Sequence, residues 1–155
     1  MKYSLKILIF LLLMVGCADK NAFSKFNMTK YQELSASSVQ NSKLKSKESV
    51  NGFFSVIYLN EIYPKKYNGD EYFFISLYLK DKNYDDLNII LNKRTPIKIE
   101  QLPFDNDFST LISGKNRWKK DYFLVFKKED SNTLSFTVEN GQFSSVALMY
   151  QKGKQ

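Results

Sequence analysis

The sequence has 155 residues, of which 43% are hydrophobic and 25% are charged, and its formal net charge is +7. This length and composition suit one folded domain and exclude a largely disordered chain. The sequence has no histidine and one cysteine, so an intramolecular disulfide is excluded and the commonest general base and metal ligand are missing. We therefore expect a non-enzymatic domain with no cofactor and no metal ion.

The first seventeen residues have the organisation of a secretory signal peptide. Lys2 and Lys6 precede an unbroken apolar run, residues 7–15, which is followed by Gly16 and the single cysteine, Cys17. The run is shorter than the roughly 18 to 20 residues that a membrane-spanning helix needs. The alternative is a short membrane anchor that is never cleaved. Because polar sequence follows at once, we favour the cleaved signal peptide.

Residues 14–17, Met-Val-Gly-Cys, resemble the lipobox of bacterial lipoproteins. The resemblance implies that the thiol of Cys17 carries a diacylglycerol and that a peptidase cleaves between Gly16 and Cys17, where the family requires a small residue. Met14 departs from the leucine that is usual in the family. One acyl chain binds a membrane only marginally, whereas two or three hold a protein there almost permanently. We therefore expect Cys17 to be a lipid attachment site, with palmitate among its acyl chains.

The residue after the lipidated cysteine also bears on location. In Gram-negative lipoproteins an aspartate at this position commonly causes retention in the inner membrane, and this chain has Ala18 there, with Asp19 one residue further on. The resemblance thus favours the outer membrane. The face on which the domain is displayed, periplasmic or cell-surface, stays open.

The segment from Cys17 to residue 50 is rich in serine, lysine and other polar residues. This composition predicts a flexible tether, although a short helix over residues 29–36, with Tyr31 and Leu34 on one side, is an alternative for part of it. The predicted organisation is therefore a signal peptide at 1–16, a lipidated cysteine and tether at 17–50, and a folded domain at 51–155.

Beyond residue 51 the hydrophobic pattern has the two-residue period of β-strands. Predicted strands lie at 52–63, 71–81, 87–91, 97–102, 121–127 and 133–139, with one more after residue 141. Asn140-Gly141 predicts a two-residue type I′ hairpin turn. One short helix is predicted after Asp105 or Asn106 as the N-cap, ending at Gly114.

About seven strands with turn signals every ten residues or so predict an all-β fold. Our first choice is an antiparallel immunoglobulin-like β-sandwich with one short helix, and a small barrel is the alternative. The combination of lipobox, polar segment and small β-domain is similar to small immunoglobulin-like lipoproteins of campylobacter-type bacteria. That resemblance concerns the layout of the chain and has no sharp motif behind it.

Two surfaces are candidates for binding. The first is the basic segment 115–120, in which Trp118 lies among Lys115, Arg117, Lys119 and Lys120 and could meet an anionic or glycan ligand. The interpretation that we favour is that Trp118 begins a strand and points into the core, while its neighbours guard a sheet edge. The second candidate is the aromatic strand pair within 53–78, which could bind a protein, although we favour a role in the core and its ordinary cover.

These features predict a membrane-anchored envelope lipoprotein whose β-domain binds a protein partner in an accessory or scaffolding role. The alternative is a surface-displayed adhesin or glycan-binding module that uses the basic loops and Trp118. Nucleic acid is not an expected partner of a secreted, lipidated chain. A calcium site at 81–92 is not expected either, because Asp86 and Asn92 stand where an EF-hand needs glycine and glutamate.

Overall fold

The structure, a computed structural model, describes residues 29–112 and 116–153. In chain order these residues form α1 (Lys30–Ser38), β1 (Gln40–Lys45), β2 (Val50–Tyr58), α2 (Leu59–Ile62), β3 (Glu71–Leu79), β4 (Leu87–Leu91), β5 (Lys98–Leu102), β6 (Lys120–Phe126), β7 (Thr133–Asn140), β8 (Phe143–Ser144) and β9 (Leu148–Gln151). None of the helices in this part of the chain combines the length and the apolar character needed to cross a bilayer.

All the strand pairs are antiparallel and belong to one sheet with the order β4-β7-β8-β1-β2-β3-β6-β5, in which β9 also pairs with β7. The two outermost strands, β4 and β5, follow each other directly in the chain. They are joined by residues 92–97, which begin with a tight turn in which Leu91 and Arg94 exchange backbone hydrogen bonds of 2.9 and 2.8 Å. The sheet must therefore curl until its two edges approach each other at this end.

The predicted all-β, antiparallel class is confirmed, but the strand arrangement differs from the first choice. The described residues form nine strands of one sheet, eight along this path and β9 beside β7, whereas an immunoglobulin-like sandwich has about seven in two separate sheets. The residue pair Lys45↔Ser144 joins β1 to β8, and so connects the strands β4, β7, β8 and β9 to the other strands of the sheet. The curled sheet is nearer to the barrel that was the alternative.

The tether prediction is wrong from residue 30 onward, whereas residues 17–28, with Cys17, lie outside the described part. The alternative short helix is confirmed as α1. Its N-cap, Thr29, forms a capping box in which its side chain accepts from the Gln32 N–H and its own N–H donates to Gln32 Oε1. The polar strand β1 pairs with β2 along its length, and its Leu44 is fully buried.

The helix predicted after Asp105 is replaced by turns over the described residues 103–112, and Gly114 lies outside them. The cause is Asn106, whose side chain accepts from the Phe108 N–H and donates to the carbonyl of Pro103 and to Asp121 Oδ2, both at 2.9 Å. These bonds fix a turn and tie it to β6. Of the three residues at helical spacing, Leu111 and Ile112 are nevertheless buried and Phe108 is partly buried.

The predicted C-terminal hairpin forms, but its turn is shifted by one residue. Asn140 pairs with Phe143, so the turn is Gly141-Gln142, and Gly141 has a φ of +56°. Asn140 is drawn into the sheet because its buried amide donates to the carbonyl of Asn83. Ser145 then interrupts the returning strand, since its hydroxyl accepts the Val138 N–H.

Two apolar clusters occupy the two faces of the sheet. The larger lies inside the curl and contains fully buried rings, among them Phe54, Phe73, Phe126 and Phe136. The smaller lies on the outer face, under α1, α2 and the turns of 103–112, and contains Ile57, Phe74, Leu111 and Ile112. It covers one end of strands β2 and β3, so the opposite end of the outer face is left open.

Candidate functional site

Trp118 lies in a turn that precedes β6, at the end of the sheet where Phe53 pairs with Tyr78, and 69% of its surface is exposed. Its backbone N–H donates to Asn116 Oδ1 at 2.9 Å, which fixes an Asx-type turn two residues before the strand begins. The favoured prediction, that Trp118 begins a strand and points into the core, is therefore wrong.

Three aromatic–cation pairs involve residues of this turn, and Trp118 belongs to one of them. Lys82 Nζ lies 5.9 Å from the centroid of the Trp118 ring. The Arg117 guanidinium lies 5.6 Å from the centroid of Phe104, and Lys119 Nζ lies 5.7 Å from that of Phe53. Each pair is within the range of a cation–π interaction, which is worth roughly 0.5–1 kcal/mol at an exposed site.

Strand pairing adds Tyr78 to this group. Phe53 of β2 lies directly opposite Tyr78 of β3, and their ring centroids are 5.1 Å apart. Residues directly opposite each other on an antiparallel pair project from the same face. We call the resulting group the Trp118 surface; its members are Phe53, Tyr78, Lys82, Phe104, Arg117, Trp118 and Lys119.

The structure brings two of the four predicted cations, Arg117 and Lys119, to the Trp118 surface. Lys120 projects from the opposite face, because successive residues of a strand alternate. Its Nζ lies 4.0 Å from the centroid of Tyr84, a ring that packs against the larger core. Lys115 lies outside the described residues.

The aromatic strand pair, the second candidate surface, mostly fills the protein interior. Phe54, Tyr58 and Phe73 are buried inside the curl, and Phe74 is buried on the outer face. Phe53, 43% exposed, and the half-buried Tyr78 remain accessible. The contact between Lys119 and Phe53 joins these two accessible rings to the segment that contains Trp118. The two predicted surfaces therefore form a single surface.

Sequence reasoning missed two members of the Trp118 surface, Lys82 and Phe104. Lys82 follows β3 in a turn with a φ of +56°, and Phe104 follows β5 in the turns before Asn106. No local pattern marks either residue, since each reaches the surface through strand pairing between distant segments.

The charged members of the Trp118 surface are all cations, and two carboxylates close to them in sequence accept hydrogen bonds from neutral amides, which leave the carboxylates charged. Asp81 accepts a hydrogen bond of 2.8 Å from Asn51 Nδ2. Asp121 accepts one of 2.9 Å from Asn106 Nδ2. The surface thus places three cations beside apolar rings, where they can donate to carboxylates of a partner.

The Trp118 surface is shallow. The cavity next to it, between Phe104 and Asn116, has a volume of about 20 Å³, which is room for about one water molecule and none for a sugar ring. Within residues 29–112 and 116–153 we find no cluster of three carboxylate, thiol or imidazole groups that could hold a metal ion.

No family model, curated protein or solved structure matched the chain.

Proposed function

We propose that the protein is a non-enzymatic envelope lipoprotein, anchored by lipid on Cys17, whose β-domain binds an acidic protein partner through the Trp118 surface. The observation that carries the proposal is the exposure of three large rings on one face, at 69% for Trp118, 43% for Phe53 and 41% for Phe104. A stable monomer has little reason to leave such rings in water beside cations unless they meet a partner.

The chemistry of the Trp118 surface matches that of energetically important interface residues. Tryptophan, tyrosine and arginine dominate such positions, and truncating one of them commonly costs about 2 kcal/mol or more of binding free energy. Arg117 and Lys119 supply donors for carboxylates of the partner, and their stacking on Phe104 and Phe53 holds them over the face. A scaffolding or accessory role in the envelope fits a domain of this kind.

The shallow relief favours a protein over a glycan. Sites for small ligands are concave and enclose most of the ligand, whereas protein interfaces are broad and nearly flat. The adjoining cavity of about 20 Å³ is too small to enclose a sugar. A surface-displayed adhesin remains the alternative, and protease treatment of intact cells separates the two, because a displayed domain is cut and a periplasmic one is shielded.

The lipid anchor is tested by Cys17→Ser, compared with the unchanged chain in membrane fractionation. We expect the variant to leave the membrane fraction and the native protein to show the mass of an acylated Cys17 at its amino terminus. An unmodified amino terminus on the native protein, with Gly16 retained, would contradict the anchor. Separation of inner and outer membranes then tests the expected outer-membrane location.

The binding surface is tested by photo-crosslinking in living cells. A photoreactive residue at position 118 or 53 should give the same adduct, and one at position 149 should not, since Met149 is similarly exposed, at 50%, but lies on β9. Lys119→Glu should weaken the adduct at position 118 at least about tenfold if the partner is acidic. Equal labelling at 118 and 149, or none at both, would refute the proposed surface.

A further inference from the structure

A second surface lies at the other end of the outer face, where α1 meets α2. The two helices and the turn after α2 enclose an open groove of about 610 Å³. Tyr31 and Tyr63 form one wall, with ring centroids 4.7 Å apart, and Leu34 and Pro64 continue it. Tyr31 is 48% exposed although it belongs to a regular helix.

The rim of this groove is basic. Lys30, Lys65 and Lys66 line it, against one acid, Glu61. All three lysines are exposed, and Lys66 Nζ lies 5.2 Å from the centroid of the Tyr67 ring. The groove thus combines tyrosines with ammonium groups, the combination that proteins place at the boundary between water and a lipid bilayer.

The groove lies where the folded domain begins. Thr29 caps α1, and the eleven residues 18–28 separate it from Cys17. A chain of this length spans at most about 40 Å when fully extended. If Cys17 carries lipid in the bilayer, the start of α1 is therefore held within that distance of the membrane.

We propose that the α1–α2 groove rests on the membrane, with Tyr31 and Tyr63 at headgroup level and Lys30, Lys65 and Lys66 on anionic phospholipid headgroups. The proposal rests on the proposed lipid anchoring at Cys17, and it adds a second contact that orients the domain. A lipid anchor combined with a basic patch binds anionic membranes more stably than either alone.

The Trp118 surface lies at the other end of the outer face. Phe53 lies five residues before Tyr58 on β2, and α2 begins directly after Tyr58. Five residues of a strand span about 17 Å. The proposed lipid contact and the proposed partner contact would therefore use opposite ends of the same face.

The test uses the native lipidated protein in phosphatidylcholine vesicles, with or without phosphatidylglycerol. A water-soluble amine-reactive reagent labels exposed lysines, and mass spectrometry of peptides measures labelling at each position. With phosphatidylglycerol, labelling of Lys65 and Lys66 should fall at least about threefold. The matched control is the pair of exposed lysines Lys45 and Lys47, at the opposite end of β2 from α2, whose labelling should stay the same.

A double substitution, Lys65→Glu with Lys66→Glu, should restore labelling of Lys30 in the anionic vesicles, whereas Lys45→Glu with Lys47→Glu should not. Equal labelling of Lys65 and Lys66 in both kinds of vesicle, or equal protection of Lys45 and Lys47, would overturn the proposal. Absence of acyl chains in the intact mass, with failure to float with vesicles, would instead refute the anchor itself. The two failures are therefore distinguishable.

Discussion

Lys152 and Glu71 form an ion pair across the domain, with 2.5 Å between Nζ and Oε1. Glu71 begins β3 and is 2% exposed, and Lys152 follows β9. The same carboxylate accepts the Tyr58 hydroxyl at 2.5 Å and the Glu129 N–H at 2.9 Å, and Lys152 also donates to the carbonyl of Glu129. The buried Glu71 carboxylate thus joins three segments that are far apart in the sequence, those of Tyr58, Glu129 and Lys152.

Removing the cation from this cluster should destabilise the domain strongly. Lys152→Met leaves Glu71 buried without its charged partner, a loss that typically costs about 3 kcal/mol or more of unfolding free energy. Urea denaturation measures the difference. Lys128→Met, at an exposed lysine, is the control and should change stability by less than about 0.5 kcal/mol. Equal effects of the two substitutions would show that the Lys152–Glu71 ion pair makes no net contribution to the free energy of unfolding.

Buried tyrosines should make the domain sensitive to alkali. Burial raises the pKa of Tyr122 to about 12, and burial also raises the pKa of Tyr150. An unfolded tyrosine ionises near pH 10, so the stability that these phenols contribute is complete below about pH 10 and is lost as the pH rises towards 12.

The variant Tyr122→Phe should therefore lose less stability than the unchanged domain between pH 9 and pH 11, in urea titrations at both values. Tyr31→Phe, at an exposed ring, is the control and should follow the unchanged domain. A Tyr122→Phe variant with the same alkaline loss as the unchanged domain would contradict the assignment of this effect to Tyr122.

Gly52 should not tolerate a side chain. A Cβ at this position would lie 2.3 Å from the carbonyl oxygen of Tyr78, a backbone atom of the neighbouring strand that cannot rotate away. Gly52→Ala must displace β2 from β3, and forced displacements of this kind cost about 1–3 kcal/mol or more. Gly69→Ala is the matched control, since nothing lies within 4 Å of its Cβ position. Thermal unfolding of both variants measures the contrast.

The strand β1 should exchange its amide hydrogens slowly. Its six residues pair with β2, and its Leu44 is fully buried, so the amides bonded to β2 open only when the sheet itself opens. Protection factors of at least about a thousand are expected there in hydrogen-exchange mass spectrometry. Peptides covering residues 80–86, an exposed turn, provide the reference. If the amides of β1 exchanged as rapidly as those of that turn, this segment would be a flexible tether and not a strand.

The sequence predicted most strands of the fold from their alternating pattern, and β4 has the predicted bounds, Leu87–Leu91. It did not predict β1, whose Gln-Asn-Ser-Lys-Leu-Lys has one apolar residue. That strand is stable because β2 supplies its backbone partners and because Asn41 accepts a hydrogen bond of 2.6 Å from Ser55. A polar segment that gains its stability from a distant strand carries no local signal.

The helix expected near Asn106 failed for a related reason. The spacing of Phe108, Leu111 and Ile112 indicates residues that face the core, but turns bury Leu111 and Ile112, and partly bury Phe108, without a helix. The bond from Asn106 to Asp121 decides between the two conformations. Asp121 is fifteen residues away and belongs to β6, so this choice depends on packing.

The candidate site also depends partly on local sequence and partly on tertiary packing. The sequence by itself determined the residue types, namely the apolar run before Cys17, the alternating strands and a tryptophan among cations. Only the tertiary structure decided that Trp118 is exposed, that Lys120 faces away from it, and that Lys119 lies over Phe53. The physical reason is that periodicity follows from local backbone geometry, whereas the pairing of residues 66 positions apart follows from strand register across the whole sheet.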